Sequence, residues 1–284
     1  MRLAKPVKPR GPHLSKRNYA AEFAKALRAL VSAADMITAI RLNQSSGYNS
    51  PTLYGRTLMG LFDALLGVTF APSVETTLEI HDCPLMNLRD PGLFLDEKVI
   101  MKVAAKFSRI SLETQSREGN PQLQRKRLGQ QLVDGLRASG DHLTGLSLSG
   151  APYWIQKRFI VSEDNYSSLT HIVLSSIWIS SAVFVPFVSS RLSQLISLHA
   201  RYIHFDGGEI KWREAFDVWR AVKKSIREQG KDLKLERLTL EMLYDRQDPA
   251  HRYAFPVDTS AVSAFVKYIL APPKRGYSPF MHRQ

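Results

Sequence analysis

The sequence lacks the residues and segments that several classes of protein require. The chain of 284 residues has one cysteine, Cys83, which excludes an internal disulfide and a zinc site built from several cysteines. So little cysteine is typical of a reducing compartment, and we expect a cytoplasmic or nuclear location. No run reaches the ~18 consecutive apolar residues that a membrane-spanning helix needs, so we expect no membrane partner.

Acidic residues are also scarce. The chain carries 39 Lys and Arg against 26 Asp and Glu, a formal net charge of +13. Such a field attracts an acidic protein or a nucleic acid, and nucleic-acid binding, or another basic-surface adaptor role, is therefore our alternative function. Part of the charge is local, because the first 20 residues hold six basic residues and no acid. We predict a basic flexible tail at 1–18, a folded domain at 19–271 and a basic tail at 272–284.

Catalytic motifs are missing as well. The sequence has no phosphate-binding glycine loop and no glycine-rich dinucleotide turn. The stretch "SLSGAP" places Ser147 and Ser149 near a glycine, but without the spacing of a nucleophile elbow. We therefore predict that the protein is not an enzyme and that it holds no cofactor and no metal.

A repeated six-residue template, aliphatic at its first, fourth and sixth places, is the strongest positive signal. The cleanest copies are "LTGLSL" at 143–148 and "LTHIVL" at 169–174. Three further good copies are "ITAIRL", "FSRISL" and "LERLTL", of which "FSRISL" begins with an aromatic residue. Weaker copies lie in "VETTLEI" and in "LSQLISLHA", where the register is ambiguous. About seven irregularly spaced copies predict about seven strands.

The segments between the copies have apolar residues three and four places apart, which predicts amphipathic helices. Trp212 and Trp219 lie on one such apolar stripe, so we predict that both are buried. The last helix has Asp258 or Ser260 as its N-cap. The predicted helices are "TLYGRTLMGLFDALLG", "DEKVIMKVAAKF", "RKRLGQQLVDGLRAS", "WREAFDVWRAVKKSI" and "DTSAVSAFVKYIL".

Polar residues between the aliphatic places predict that one face of the sheet is solvated. A doubly wound sheet is buried on both faces, so the pattern favours an α/β solenoid whose strands line a concave surface. Trp154, in a predicted loop, is a candidate interface aromatic residue. The candidate binding residues of the concave surface are Arg41, Asn43, Glu79, His81, Ser111, Glu113, Ser147, Ser149, Val173, Ser175, Thr239 and Glu241.

Over residues 21–270 this arrangement resembles the leucine-rich-repeat proteins of the ribonuclease-inhibitor type. Residues 143–270 are similar, more narrowly, to the irregular leucine-rich-repeat regions of fungal F-box-like proteins. The narrower resemblance is carried by "YSSLTHIVLSSIWISSAVFVPFVSSRLSQLISLHARYIHFDGGEIKWREAFDVWRAV" and by the closing "AVSAFVKYIL". It implies an arc of about seven strand–helix repeats whose concave face binds a protein, and a role in recognising substrates for ubiquitin ligases.

The sequence departs from that family in two respects. The Asn or Cys that follows each strand in the family is present in strong form only as Cys83. The equivalent places elsewhere hold Ser45, Gln115, Ala151, Ile177 and Leu243. No F-box motif is visible in "KPRGPHLSKRNYAAEFAKALRAL", so coupling to a ligase adaptor is unsupported. We predict a non-catalytic interaction module with an unidentified, acidic protein partner.

Overall fold

The computed structural model describes residues 25–29, 37–42, 51–70, 75–83, 96–114, 142–150, 166–206, 210–245 and 255–272. The predicted helix "RKRLGQQLVDGLRAS", nearly all of the two predicted tails, and the candidates Asn43 and Trp154 lie outside these residues. Every structural statement below concerns the described part of the chain.

Strands and helices alternate along most of the described chain. The strands are β1 (Ala39–Leu42), β2 (Thr77–Cys83), β3 (Arg109–Thr114), β4 (Gly145–Ser149), β5 (His171–Ser180), β6 (Ser197–Asp206), β7 (Arg237–Asp245) and β8 (Phe255–Pro256). The helices are α1 (Pro51–Leu66), α2 (Glu97–Ala104), α3 (Ser181–Arg191), α4 (Trp212–Glu228) and α5 (Thr259–Leu270). Residues 25–29 are helical as well. The four predicted helices within the described residues are thereby confirmed.

The eight strands form one open sheet in which spatial order equals chain order, β1 to β8. Strands β1 to β7 pair in parallel, whereas β8 pairs with β7 antiparallel over two residues. The α/β class predicted from the sequence is therefore confirmed. A doubly wound sheet reverses its strand order at a switch point, and the sequential order of these strands has no such reversal.

The template places are aligned across the sheet. The fourth places form one column and the sixth places form a second, with a single residue of each strand in each column. From β2 onward both columns are buried and join the apolar residues of the helices in one core cluster. The fourth-place column is Ile40, Leu78, Ile110, Leu146, Ile172, Leu198 and Leu238, and the sixth-place column is Leu42, Ile80, Leu112, Leu148, Leu174, Ala200 and Leu240.

A third buried column lies further along β5, β6 and β7. Ile177 of β5, Ile203 of β6 and Leu243 of β7 lie side by side, and each is at most 2% exposed. Two of the places at which the sequence lacks Asn or Cys are thus core positions. An amide there would be buried among aliphatic side chains and would need hydrogen-bond partners of its own.

A ladder of hydroxyl groups links the beginnings of four strands. Thr144 Oγ1 donates to the carbonyl oxygen of Ser108 at 3.1 Å, and Thr170 Oγ1 donates to the carbonyl oxygen of Thr144 at 3.0 Å. One rung earlier, Ser108 Oγ donates to the carbonyl oxygen of Thr76 at 3.1 Å. Each of these carbonyls also accepts two backbone N–H groups of the next strand. The hydroxyl always occupies the second template place, as in "LTGL" and "LTHI".

Strands β4 to β7 all bend at the same register position. Gly150, Ser176, Tyr202 and Met242 have φ of 61°, 55°, 53° and 50°, in the left-handed region. We call these four residues the kink column. Before it the buried residues of β5 are Ile172 and Leu174, and after it they are Ile177 and Ile179, so the alternation slips by one residue. Two consecutive side chains therefore point away from the core at each bend.

Aromatic rings fill the core beneath β5 to β7. The ring of Phe205 stacks on Trp212 with centroids 4.0 Å apart, and Phe216 stacks on Phe265 at 4.3 Å. Trp212 and Trp219 are both buried, as predicted. Asp245, at the end of β7, accepts a hydrogen bond from the backbone N–H of Trp212 at 3.0 Å and so caps α4 from the neighbouring strand. In α5 the N-cap is Asp258, whose side chain accepts from Ser260 N at 2.8 Å.

Two lysines cap the C-termini of neighbouring helices. Lys106 Nζ donates to the carbonyl oxygens of Leu65, Leu66 and Val68 at the end of α1, at 2.6–2.9 Å. Lys223 Nζ, from α4, donates to three carbonyl oxygens at the end of α5: those of Tyr268 and Ile269 at 2.7 Å and that of Ala271 at 3.1 Å. A helix C-terminus carries partial negative charge, so a cation there is favourable. Each lysine thus ties two helices together.

Candidate functional site

The side chains between the buried columns form the second face of the sheet, which we call the open face. Its first row is Arg41, Glu79, Ser111, Ser147, Val173, His199 and Thr239, and its second row is Glu113, Ser149, Ser175, Arg201 and Glu241. All of these residues are half-buried or exposed. Ten of the candidate binding residues stand in these two rows. His81 contacts members of both rows, so it belongs to the same face.

The sequence-based candidates omit two members of the rows, His199 and Arg201, because "LSQLISLHA" left the register of β6 open. Leucines three residues apart at 192, 195 and 198 fit the template in more than one way. The structure resolves this by placing Leu195, Leu198 and Ala200 at the three template places. This copy matches the template weakly because its sixth place holds alanine rather than a larger aliphatic residue.

A charged cluster joins β1, β2 and β3 at one end of the open face. Arg41 Nε donates to Glu79 Oε2, and the same oxygen lies 3.1 Å from His81 Nε2. The other ring nitrogen, His81 Nδ1, lies 2.6 Å from Glu113 Oε2. The hydrogen bond from Arg41 lowers the pKa of Glu79, and the hydrogen bond to Glu113 raises the pKa of His81. We call these four residues the histidine cluster.

Other cross-strand ion pairs neutralise arginines elsewhere on the open face. Arg201 Nε of β6 lies 3.3 Å from Glu241 Oε2 of β7. Arg109 Nη2 of β3 lies 2.9 Å from Glu75 Oε2, beside the beginning of β2. Together with Arg41 and Glu79, these pairs give the described face charges of both signs in alternation. A surface that attracts phosphate groups would instead present an excess of unpaired cations.

Small side chains form the floor between the two charged ends. Ser147 and Ser149 of β4 stand beside Val173 and Ser175 of β5, and Val173 is 37% exposed. Gly145 lies at the start of this floor. The aliphatic part of the Arg109 side chain packs against Gly145, which leaves little space for a side chain there. A Cβ at Gly145 would approach Arg109 Cγ to 2.8 Å. The result is a floor of small side chains between the two charged ends.

Beyond the kink column the open face continues as an aromatic row. His204 of β6 and Tyr244 of β7 stand side by side, and their rings stack at 4.5 Å. Burial lowers the pKa of His204. At the kink itself Tyr202 and Met242 are 36% and 56% exposed. The sequence did contain the signal for this row, because each member follows the sixth template place by four residues.

A metal site and a nucleophile–base pair can each be sought among the described side chains. No group of three or more His, Cys, Asp or Glu residues within the described ranges could hold a metal ion. Thr170 Oγ1 lies 2.8 Å from His171 Nδ1, but this hydroxyl donates its proton to the carbonyl of Thr144 and belongs to the ladder. A nucleophile would instead have to donate that proton to the base.

Fold and face together define an α/β protein with an open sheet in sequential order, one face packed on helices and the other solvated. None of the described helices has the length and apolar character needed to cross a membrane. No model of a known protein family matches the chain, and no curated protein matches it.

Proposed function

We propose that the protein is a non-catalytic recognition module, that its fold is an irregular leucine-rich-repeat solenoid, and that the open face binds a protein partner. The proposal of a repeat is supported by the register, which aligns the template places of seven strands in two continuous columns. The hydroxyl ladder supports it further, because in a solenoid each unit hydrogen-bonds to the unit before it.

The single observation that carries the recognition role is the composition of the open face. One row runs over seven neighbouring strands and a second runs over five, and every member except Val173 is polar. Charged groups stand at both ends, small residues form the middle, and exposed Tyr202 and Met242 stand at the margin. Protein interfaces combine such polar rims with a few aromatic or Met anchors. A role in substrate recognition related to that of F-box-type ubiquitin ligase receptors follows from the family resemblance, and without an F-box motif we propose no ligase adaptor.

Nucleic-acid binding is the alternative that the net charge of +13 keeps open. The open face offers little support for it, because Arg41, Arg109 and Arg201 each pair with a glutamate of that face. Binding to nucleic acid would release counterions and would weaken steeply with salt. Binding of a protein to a face of mixed charge would depend on salt much less.

A capture experiment with matched variants tests the proposal. Ser147→Arg/Ser175→Arg fills the floor of the open face, whereas Ala221→Arg/Ser225→Arg adds the same charge to exposed positions of α4. We expect proteins of the source cell extract that bind the wild-type chain to bind the α4 variant as well and the open-face variant at least about tenfold less. Quantitative mass spectrometry of the captured material gives the measurement.

The salt dependence of capture separates the two functions. Equal capture by both variants would rule out the open face as the recognition surface. Capture that is nuclease-sensitive, falls steeply with salt and rises in both arginine variants would establish nucleic-acid binding instead, because both variants add the same positive charge.

A further inference from the structure

His81 is held between two carboxylates that come from different strands. Its Nε2 lies 3.1 Å from Glu79 Oε2 on β2, and its Nδ1 lies 2.6 Å from Glu113 Oε2 on β3. A neutral imidazole donates from one nitrogen only and presents a lone pair at the other. A lone pair directed at a carboxylate oxygen at either distance would be repulsive. The geometry therefore favours a proton on both nitrogens, which makes His81 an imidazolium.

The protonated histidine makes the cluster neutral. Arg41 and His81 then contribute two positive charges, and Glu79 and Glu113 contribute two negative charges. Within the described residues, Arg41, Glu79 and Glu113 are the charged groups that the contacts join to the imidazole, and β4 contributes Ser147 and Ser149 to the adjoining floor. Loss of one proton leaves the cluster with a net charge of −1 and leaves one carboxylate without its hydrogen-bond donor.

We propose that His81 is a pH-dependent link between strands, which we call the clasp. When it is protonated, His81 joins β2 to β3 across the open face. When it is deprotonated, it releases one carboxylate, and that end of the face becomes anionic. The clasp joins the strands where the β2–β3 register shifts between Ile80 and Cys83.

The direction of the pH effect follows from the charges. The hydrogen bond to Glu113 and that to Glu79 raise the pKa of His81 above its ordinary value of 6.5. A pKa raised by folding contributes stability that is fully present below pH 6.5 and is lost as the pH rises through the folded pKa. The clasp is therefore closed below pH 6.5 and opens as the pH rises through the raised pKa. Exposure of the cluster to solvent keeps the effect on stability modest.

The consequence for recognition rests on the proposed function. With the clasp open, the β1–β3 end of the open face offers a carboxylate to a basic side chain of the partner. With the clasp closed, that carboxylate is already occupied by the imidazolium. A proton and the partner's cation thus compete for the same oxygen atoms, and partner binding strengthens as His81 loses its proton.

Nuclear magnetic resonance of the imidazole nitrogens in the full chain tests the clasp without any partner. We expect both ring nitrogens of His81 to be protonated at about pH 6, with a midpoint above the ordinary value. Glu113→Gln should move that midpoint down toward 6.5, whereas Glu241→Gln, at the other end of the face, should leave it unchanged. A single protonated nitrogen at about pH 6, or an equal response to both variants, would overturn the proposal.

The same variants in the capture experiment test the coupling to recognition. We expect the wild-type chain to capture more partner at about pH 8.5 than at about pH 6, and His81→Gln, which cannot take up a proton, to show a much smaller difference. An intact clasp in the nitrogen titration with the same pH response in both proteins would overturn the coupling. Failure to capture any protein would overturn the proposed function, and the nitrogen titration alone would then decide the clasp.

Discussion

The hydroxyl of Thr170 donates a hydrogen bond to the carbonyl oxygen of Thr144 at 3.0 Å, across the 26 residues that separate two copies of the template. The same carbonyl accepts the backbone N–H groups of Thr170 and His171, both at 2.9 Å. Serine or threonine at the second template place therefore couples β2 to β3, β3 to β4 and β4 to β5.

Thr170→Val removes one rung of the hydroxyl ladder while keeping the shape of the side chain. We expect the free energy of unfolding to fall by about 1 kcal/mol, the contribution of a typical hydrogen bond. The loss stays near this value because the Thr144 carbonyl retains its two backbone donors. Thr239→Val, on the open face, is the control, and it should change stability by less than about 0.5 kcal/mol. Urea denaturation of both variants measures the difference, and equal losses would contradict the ladder.

Leu146→Asp and Ile172→Asp test the assignment of the buried columns. Each puts a carboxylate into the core without a partner, and we expect each to cost more than about 4 kcal/mol and to unfold the array. The next residues along the same strands, Ser147 and Val173, point to the open face. Ser147→Asp and Val173→Asp should therefore melt within a few degrees of the wild type. Wild-type melting of the two core variants would refute the template.

The kink column predicts an unusual preference at position 242. Met242 has φ of 50°, and a β-branched side chain is poorly tolerated in that conformation. We expect Met242→Val to lower the free energy of unfolding by about 1 kcal/mol, although the side chain is exposed. Met242→Gly relieves the same conformation and should be no less stable than the wild type. If valine and glycine gave the same stability in thermal melts, a regular strand at this position would be indicated.

Lys223 predicts a rise in stability with pH. Burial lowers the pKa of Lys223 from 10.5 to about 8. Between about pH 8 and pH 10.5 the unfolded chain therefore binds more protons at this residue than the folded chain, so the free energy of unfolding increases with pH. Lys223→Met lacks this contribution, while all other titrating groups remain. We expect the stability of the wild type relative to the variant to rise across that range in chemical denaturation. A constant or falling difference would contradict the shift.

The spacing of apolar residues alone predicted the strands, four helices and the solvated face. Aliphatic residues at fixed places of each copy leave little freedom in the register of the strands. The kink column was not predictable in the same way. In β5, β6 and β7 the alternation of buried and exposed side chains shifts by one residue near "IWIS", "YIHF" and "MLYD". Each of these segments alone looks like the end of an ordinary strand with mixed apolar and polar residues. Only the alignment of three neighbouring strands shows that Ile177, Ile203 and Leu243 face one core.

The candidate site was predictable in position and not in detail. The alternation of aliphatic and polar residues along the strands assigned Glu79, His81 and Glu113 to the open face. It could not show that one imidazole contacts both carboxylates, because that contact depends on the register shift between Ile80 and Cys83. The cross-strand pair of Arg201 and Glu241 was missed for a simpler reason, since the register of β6 was ambiguous.

The kink column also limits which insertions and deletions such a chain can accept during evolution. Deleting one residue at the bend of β6 alone would return that strand to plain alternation and would turn Ile203 and Phe205 toward solvent while their neighbours in β5 and β7 stayed inward. A viable length change would have to occur in adjacent units together. Strands β5 to β7 are therefore expected to be inherited, duplicated or lost as one block, whereas length changes at β1 to β4 escape this requirement.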